Sequence, residues 1–133
     1  MSILFHILKW VGPLSGVGAI TLGLLHWFFH ISFLELHMLF GFLVTLSLLL
    51  SGIIALLTRG IRVLGAIALV FVLIVPVFGL TQMLIFIGDF HWLIQIAHLL
   101  VGVAAVQIIE KICKHALQNK QKPVIGKKAV SVS

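Results

Sequence analysis

The sequence predicts an all-α integral membrane protein, a bundle of four transmembrane helices in up-down-up-down order. Hydrophobic side chains make up 62% of the 133 residues, and the mean hydropathy is +1.29. Charged residues make up only 9%, against roughly 25% in ordinary globular chains. Four apolar stretches each provide the roughly 20 residues that a helix needs to cross a bilayer. Together these observations exclude a soluble domain.

The four predicted spans cover about residues 11–29, 33–57, 63–87 and 92–113. The N-terminus runs into an apolar stretch without a small-residue cleavage site, so we expect this stretch to be a membrane span. The connections are short, which places sequential helices antiparallel. Two small-residue faces are suited to close helix contact, Gly12/Gly16 and Ser47/Ser51. Residues 1–113 are thus predicted to form a transmembrane domain, and 114–133 a disordered basic tail.

Positive charge predicts the orientation of the bundle. Lys9, the Arg59/Arg62 turn and the lysine-rich tail all fall on one side of four spans, and the other side has no Lys or Arg. By the positive-inside rule both termini are cytoplasmic, and a prokaryotic cytoplasmic membrane is expected. This pattern accounts for the net charge of +6 without a nucleic-acid partner. The single Cys113 excludes an internal disulfide and a cysteine-built zinc site.

A histidine–glycine pattern occurs twice, as HMLFG at 37–41 and HLLVG at 98–102. His37 and His98 lie near the outer ends of predicted helices 2 and 4, at similar depth in the membrane. Gly41 and Gly102 follow on the same helical faces one turn deeper, where they leave room for a flat macrocycle bound to the histidine. Two facing imidazoles suit the axial ligation of a single low-spin, electron-transferring heme b.

Other interpretations of the two histidines stay open. Each imidazole could instead bond a neighbouring backbone carbonyl or hydroxyl, or the pair could bind a metal ion or a chlorophyll-type pigment. His30 and His91 each precede a ligand candidate by seven residues, and His26 ends predicted helix 1. These three are candidates for contact with heme propionates or a quinone, or else are wet residues of the outer interface. Glu35 and Asp89 are expected to be solvated there.

The stretches LELHMLFG at 34–41, VFGLTQMLIFIG at 77–88 and IQIAHLLVG at 94–102 resemble the four-helix half of heme A synthase. The likeness to four-helix b-type cytochromes of membranes is looser. In the synthase family, histidines in helices 2 and 4 bracket a heme, and His37 and His98 occupy those places. The family has a glutamate three residues before the first histidine and an arginine after it. Here Glu35 stands two residues before and Met38 follows, so the resemblance implies heme binding rather than oxidation of the heme.

Three functions are compatible with this sequence. The first is a small b-type heme protein that exchanges electrons with quinol or a partner, as a single chain or a homodimer. The second is a heme-modifying enzyme related to heme A synthase. The third is an accessory or structural subunit of a larger membrane complex, with its histidines bound to a pigment or to nothing. Whether the chain is an enzyme is left open by the residues themselves.

Overall fold

The computed structural model describes residues 2–30, 33–81, 84 and 88–129. Four helices account for almost all of them: α1 (Ser2–Phe29), α2 (Leu34–Leu57), α3 (Arg62–Thr81) and α4 (His91–Ala129). The described residues include no strand. The predicted all-α bundle of four helices is confirmed.

Each helix contains a segment long and apolar enough to cross a membrane. These segments are His6–Phe29, Leu34–Leu57, Arg62–Thr81 and His91–Gln118. Large apolar side chains on their outer surfaces are exposed, including Leu14 at 72% and Leu73 at 68%. A soluble monomer rarely exposes apolar surface of this extent, whereas lipid covers it without cost. The fold therefore provides four candidate membrane spans.

Sequential helices pack antiparallel, and the two that contain His37 and His98 lie across the middle of the bundle. Helices α1 and α3 each contact both α2 and α4, and α2 also contacts α4. Within the described residues, α1 and α3 do not touch. We call the end where α2 and α4 begin the histidine end, and the opposite end, which contains Lys9 and Arg62, the basic end.

Small residues bring α1 close to its neighbours. A Cβ atom added at Gly12 would come within 2.9 Å of the Ile109 side chain of α4, and one at Gly16 would overlap Val106. Ser47 and Ser51 of α2 are buried, as expected for a packed small-residue face. The predicted close contacts of these two faces are confirmed.

A close approach of two backbones, between α2 and α3, was not predicted. A Cβ atom at Gly65 would lie 2.7 Å from the backbone nitrogen of Leu56 and 2.9 Å from the carbonyl oxygen of Gly52. Only a residue without a side chain fits between the two helices at this point. Gly65 therefore fixes the crossing of α2 and α3.

The tightly packed core lies towards the basic end. The largest fully buried side chains are Leu48, Ile109, Ile112, Cys113 and Ser51. Along α2, the buried residue nearest the histidine end is Val44. Along the described part of α4, only Ile94 is buried before Ala105. The bundle is therefore closed at one end and loosely packed around the two histidines.

Helix boundaries differ from the predicted ones at three places. Helix α1 begins at Ser2 rather than near residue 11, and its Leu8 is buried in the core. Helix α3 ends at Thr81, and residues 82–83 and 85–87 of the predicted helix lie outside the described residues. Helix α4 continues past Cys113, with Ala116 buried and Lys114 paired to Glu110 at 3.7 Å. The division into a membrane domain and a cytoplasmic tail stays a prediction.

Candidate functional site

The two histidines singled out by the sequence meet between α2 and α4. Their ring centroids are 6.1 Å apart, and the ring planes are inclined at 53°. His37 is in the first turn of α2 and His98 is in the second turn of α4, and the two helices run in the same direction from the histidine end. Both side chains are half-buried. The fold thus brings together the pair that the repeated pattern predicted.

A direct hydrogen bond between the two rings is impossible at this distance. Each ring nitrogen lies about 1.15 Å from its ring centre, so the nearest nitrogens are at least about 3.8 Å apart, beyond hydrogen-bonding range. A metal bonded to both rings would need about 4 Å between the nitrogens, because metal–imidazole bonds are about 2.0 Å long. The separation of the rings therefore excludes a direct hydrogen bond and would allow one metal atom between them if a nitrogen of each ring faced the other.

His37 is oriented by the neighbouring helix α1. Its Nδ1–H donates to the backbone carbonyl oxygen of Ala19 over 2.9 Å. Because a carbonyl only accepts, this bond assigns the proton to Nδ1 and leaves Nε2 with a free lone pair. A Cβ atom at Gly23 of α1 would lie 3.4 Å from Cε1 of His37, in ordinary contact with the ring. Metal-ligating histidines commonly have this second hydrogen bond.

His98 is positioned differently. Its Nδ1 is buried and has no hydrogen-bond partner among the residues that the structure describes. A Cβ atom at Gly79 of α3 would lie 3.5 Å from Cε1 of His98, so α3 approaches this ring with a residue that has no side chain. Each ring therefore packs against a glycine of the helix before its own, but only His37 has an acceptor. The alternative in which both imidazoles bond backbone groups holds for His37 alone.

The two glycines of the repeated pattern border open space. A Cβ atom at Gly41 or at Gly102 would meet no atom within 4 Å, although both residues are half-buried. One turn below each histidine, a Cβ atom on α2 or α4 would therefore have open space beside it. A flat macrocycle attached to either ring needs such a clearance. Whether these glycines contact a cofactor stays a prediction.

The other predicted site residues are not joined to the pair. His26 and His30 are exposed and His91 is half-buried. Among the described residues, no hydrogen bond or ring contact links these three to His37 or His98. His30 follows the last residue of α1 with a φ of 56°, and its N–H bonds the carbonyl of His26. His91, in contrast, begins α4.

These positions change the meaning of the repeated histidine spacing. His91 and His98 lie on one helix, two turns apart. His30 and His37 are separated by the turn between α1 and α2 and share no helical face. The spacing is therefore the same in sequence but not in structure. Glu35 and Asp89 are exposed at the same end.

Three residues of the site were missed by reasoning from sequence: Ala19, Gly23 and Gly79. The two glycines had a signal, since each lies near the histidine end of the helix that precedes its histidine. The acceptor on Ala19 had none, because every residue has a backbone carbonyl.

The described residues contain no cluster of three or more His, Cys, Asp or Glu side chains that could hold a metal ion. A bare ion such as zinc takes four ligands, of which this pair supplies two. Two surface recesses of about 520 and 240 Å³ share Trp10 on α1, towards the basic end, and neither is lined by a predicted site residue. His37 and His98 thus remain the candidate site, as a pair of half-buried imidazoles between α2 and α4.

Comparison with known proteins adds no family to this description. No protein-family model, curated protein or solved structure matches the chain. The likeness to heme A synthase therefore remains a resemblance of residue placement, and the function is inferred from the His37–His98 pair.

Proposed function

We propose that this chain is an integral membrane protein that binds one heme b between His37 and His98 and transfers electrons. The observation that supports this proposal is the 6.1 Å separation of the two ring centroids. Bis-imidazole ligation needs about this spacing, because two bonds of about 2.0 Å lie between the ring nitrogens.

The residues present fit heme better than a bare ion. A porphyrin supplies four equatorial nitrogens to its iron, so two histidines complete the coordination. The macrocycle would lie against the open space beside Gly41 and Gly102, one turn below each histidine. A heme with two imidazole ligands supplies one-electron redox chemistry and has no free position for a substrate.

The protein's own residues would orient this group and keep it apart from water. The carbonyl of Ala19 holds the His37 ring with Nε2 free to bind iron. The apolar surfaces of α2 and α4 exclude water below the pair, where the core begins at Val44 and Ala105. In the proposed orientation both termini are cytoplasmic and the heme lies near the outer face of a prokaryotic membrane. Quinol in the bilayer or a partner protein, including a second copy of this chain, would exchange electrons with it.

The two alternatives lack a comparable observation. Residues two apart lie on opposite faces of a helix, so Glu35 is on the far side of α2 from His37. It is therefore badly placed to assist oxidation of a heme at the pair. A pigment-binding subunit would use one histidine for each macrocycle, and two rings only 6.1 Å apart do not leave room for separate macrocycles.

A visible spectrum of the purified protein tests the proposal. The protein is expressed with heme available, purified in detergent, and measured oxidised and then reduced with dithionite. We expect a low-spin b-type spectrum at one heme per chain, lost or converted to high spin in His37→Ala and His98→Ala. His26→Ala, which alters an exposed histidine at the same end of the bundle, is the control and should keep the wild-type spectrum. A folded wild-type protein without a Soret band would overturn the proposal.

A further inference from the structure

The two imidazoles of the pair differ in the hydrogen bonding of Nδ1, the ring nitrogen that would not bind the iron. Nδ1 of His37 lies 2.9 Å from the carbonyl oxygen of Ala19. Nδ1 of His98 is buried and has no partner within the described part of the chain. The pair is therefore chemically unequal, although each histidine is followed by a glycine four residues later.

A hydrogen bond from the second ring nitrogen strengthens metal ligation in two ways. It fixes the orientation of the ring and makes the ligating nitrogen more basic. Loss of such a partner typically lowers metal affinity by about 10–100-fold. His37 has this support and His98 lacks it, so the two bonds to a shared iron would differ in strength.

The surroundings of His98 do not replace the missing acceptor. The helix packed against it, α3, approaches Cε1 of the ring with Gly79, which has no side chain that could form a hydrogen bond. One turn deeper on α4, the space around a Cβ built at Gly102 is open within 4 Å. Among the described residues, packing alone therefore holds the ring of His98, whereas a hydrogen bond also holds that of His37.

We propose that His98 is the exchangeable axial ligand and that a small neutral diatomic molecule can take its place, while His37 remains bound. This inference rests on the proposed heme site. In the exchange, the bond from Nε2 of His98 to iron is replaced by a bond from the incoming molecule. No electron or proton is transferred, because the released imidazole is neutral.

Carbon monoxide added to the dithionite-reduced holoprotein tests this inference. We expect a saturable spectral change in the wild type, and at least tenfold tighter binding in His98→Ala, which should keep its heme through His37. His37→Ala should lose most of its heme, because the remaining ligand would be His98, which lacks the hydrogen bond at Nδ1. Size-exclusion profiles and helical circular dichroism establish that each variant is folded.

A second pair of variants tests the missing hydrogen bond itself. Gly79→Ser places a hydroxyl beside the His98 ring and should weaken carbon monoxide binding about tenfold by supplying an acceptor. Gly79→Ala adds nearly the same volume without an acceptor and should leave binding close to the wild type.

The outcomes separate this inference from the proposed function. A wild-type protein without heme would refute the heme site itself. A wild-type protein with low-spin heme that does not bind carbon monoxide would refute only the exchangeable ligand. Retention of heme by His37→Ala with its loss in His98→Ala would also refute it, by reversing the two roles.

Discussion

The Nδ1–H of His37 donates a 2.9 Å hydrogen bond to the carbonyl oxygen of Ala19, so α1 orients a side chain that belongs to α2. The bond reaches from one helix to the next and lies within the segments that could cross a membrane. In such surroundings a polar ring nitrogen has few other partners, so this contact determines the direction of the ring.

Crowding the ring of His37 should break this bond. A Cβ atom at Gly23 fits against the ring at 3.4 Å, so Gly23→Ala should be tolerated. The two γ-methyl groups of Gly23→Val should displace the ring from Ala19 and lower heme affinity about tenfold or more. Heme titration of the apoprotein measures the affinity, and the ¹⁵N shift of His37 Nδ1 reports the hydrogen bond. Equal affinity of the alanine and valine variants would contradict this account.

A large side chain in the open space beside Gly41, one turn below His37, should impair heme binding without destabilising the fold. No atom lies within 4 Å of a Cβ at Gly41. In the absence of heme, Gly41→Leu should therefore insert into the membrane and have the same unfolding midpoint as the wild type. The larger side chain would occupy the place of the macrocycle and reduce heme affinity about tenfold or more. The matched control is Phe42→Leu, at an exposed neighbouring position. Full heme content in Gly41→Leu would place the macrocycle elsewhere.

The crossing of α2 and α3 should depend on the absence of a side chain at Gly65. A methyl group there would press on the backbone nitrogen of Leu56 at 2.7 Å, so Gly65→Ala should separate the helices and cost about 1–3 kcal/mol. Thermal unfolding in detergent, followed by circular dichroism, measures the loss. Ala66→Leu alters an exposed position beside it and should leave the midpoint within a few degrees. A Gly65→Ala protein as stable as the wild type would mean that this contact is readily relieved.

The residue after α1 should tolerate glycine better than histidine. His30 has a φ of 56°, a left-handed conformation that costs a side chain about 1 kcal/mol and glycine almost nothing. We expect His30→Gly to raise the unfolding midpoint in detergent with an unchanged heme spectrum. His26→Gly, four residues earlier inside the helix, should instead lower the midpoint, because glycine in a helix interior costs about 1 kcal/mol of stability. A heme spectrum altered by His30→Gly would give this strained histidine a role at the site.

Much of the architecture follows from sequence, since long apolar runs and short connections leave few arrangements other than an antiparallel bundle. Hydropathy locates the apolar middle of each helix but not its ends. The terminal turns contain polar residues, so an average over the sequence does not show that the helix continues there. Leu8 shows this difference, because it is buried although it precedes the predicted start of helix 1.

The site was predictable only in part. The meeting of His37 and His98 follows from their similar depth on two helices that run in the same direction. The Ala19 carbonyl and the Gly65 crossing depend on the rotation of one helix against another, which hydropathy does not encode. The unequal hydrogen bonding of the two imidazoles depends on the same rotation.

The uneven packing of the bundle has a consequence for its biogenesis. Side chains interlock around Leu48 and Ile109, whereas few are buried near the histidine end. If the chain binds the proposed heme, its packed half would allow a stable apoprotein to form before the heme arrives. Heme binding would then require only a small separation of the helices at the histidine end. The packed core towards the basic end would stay unchanged.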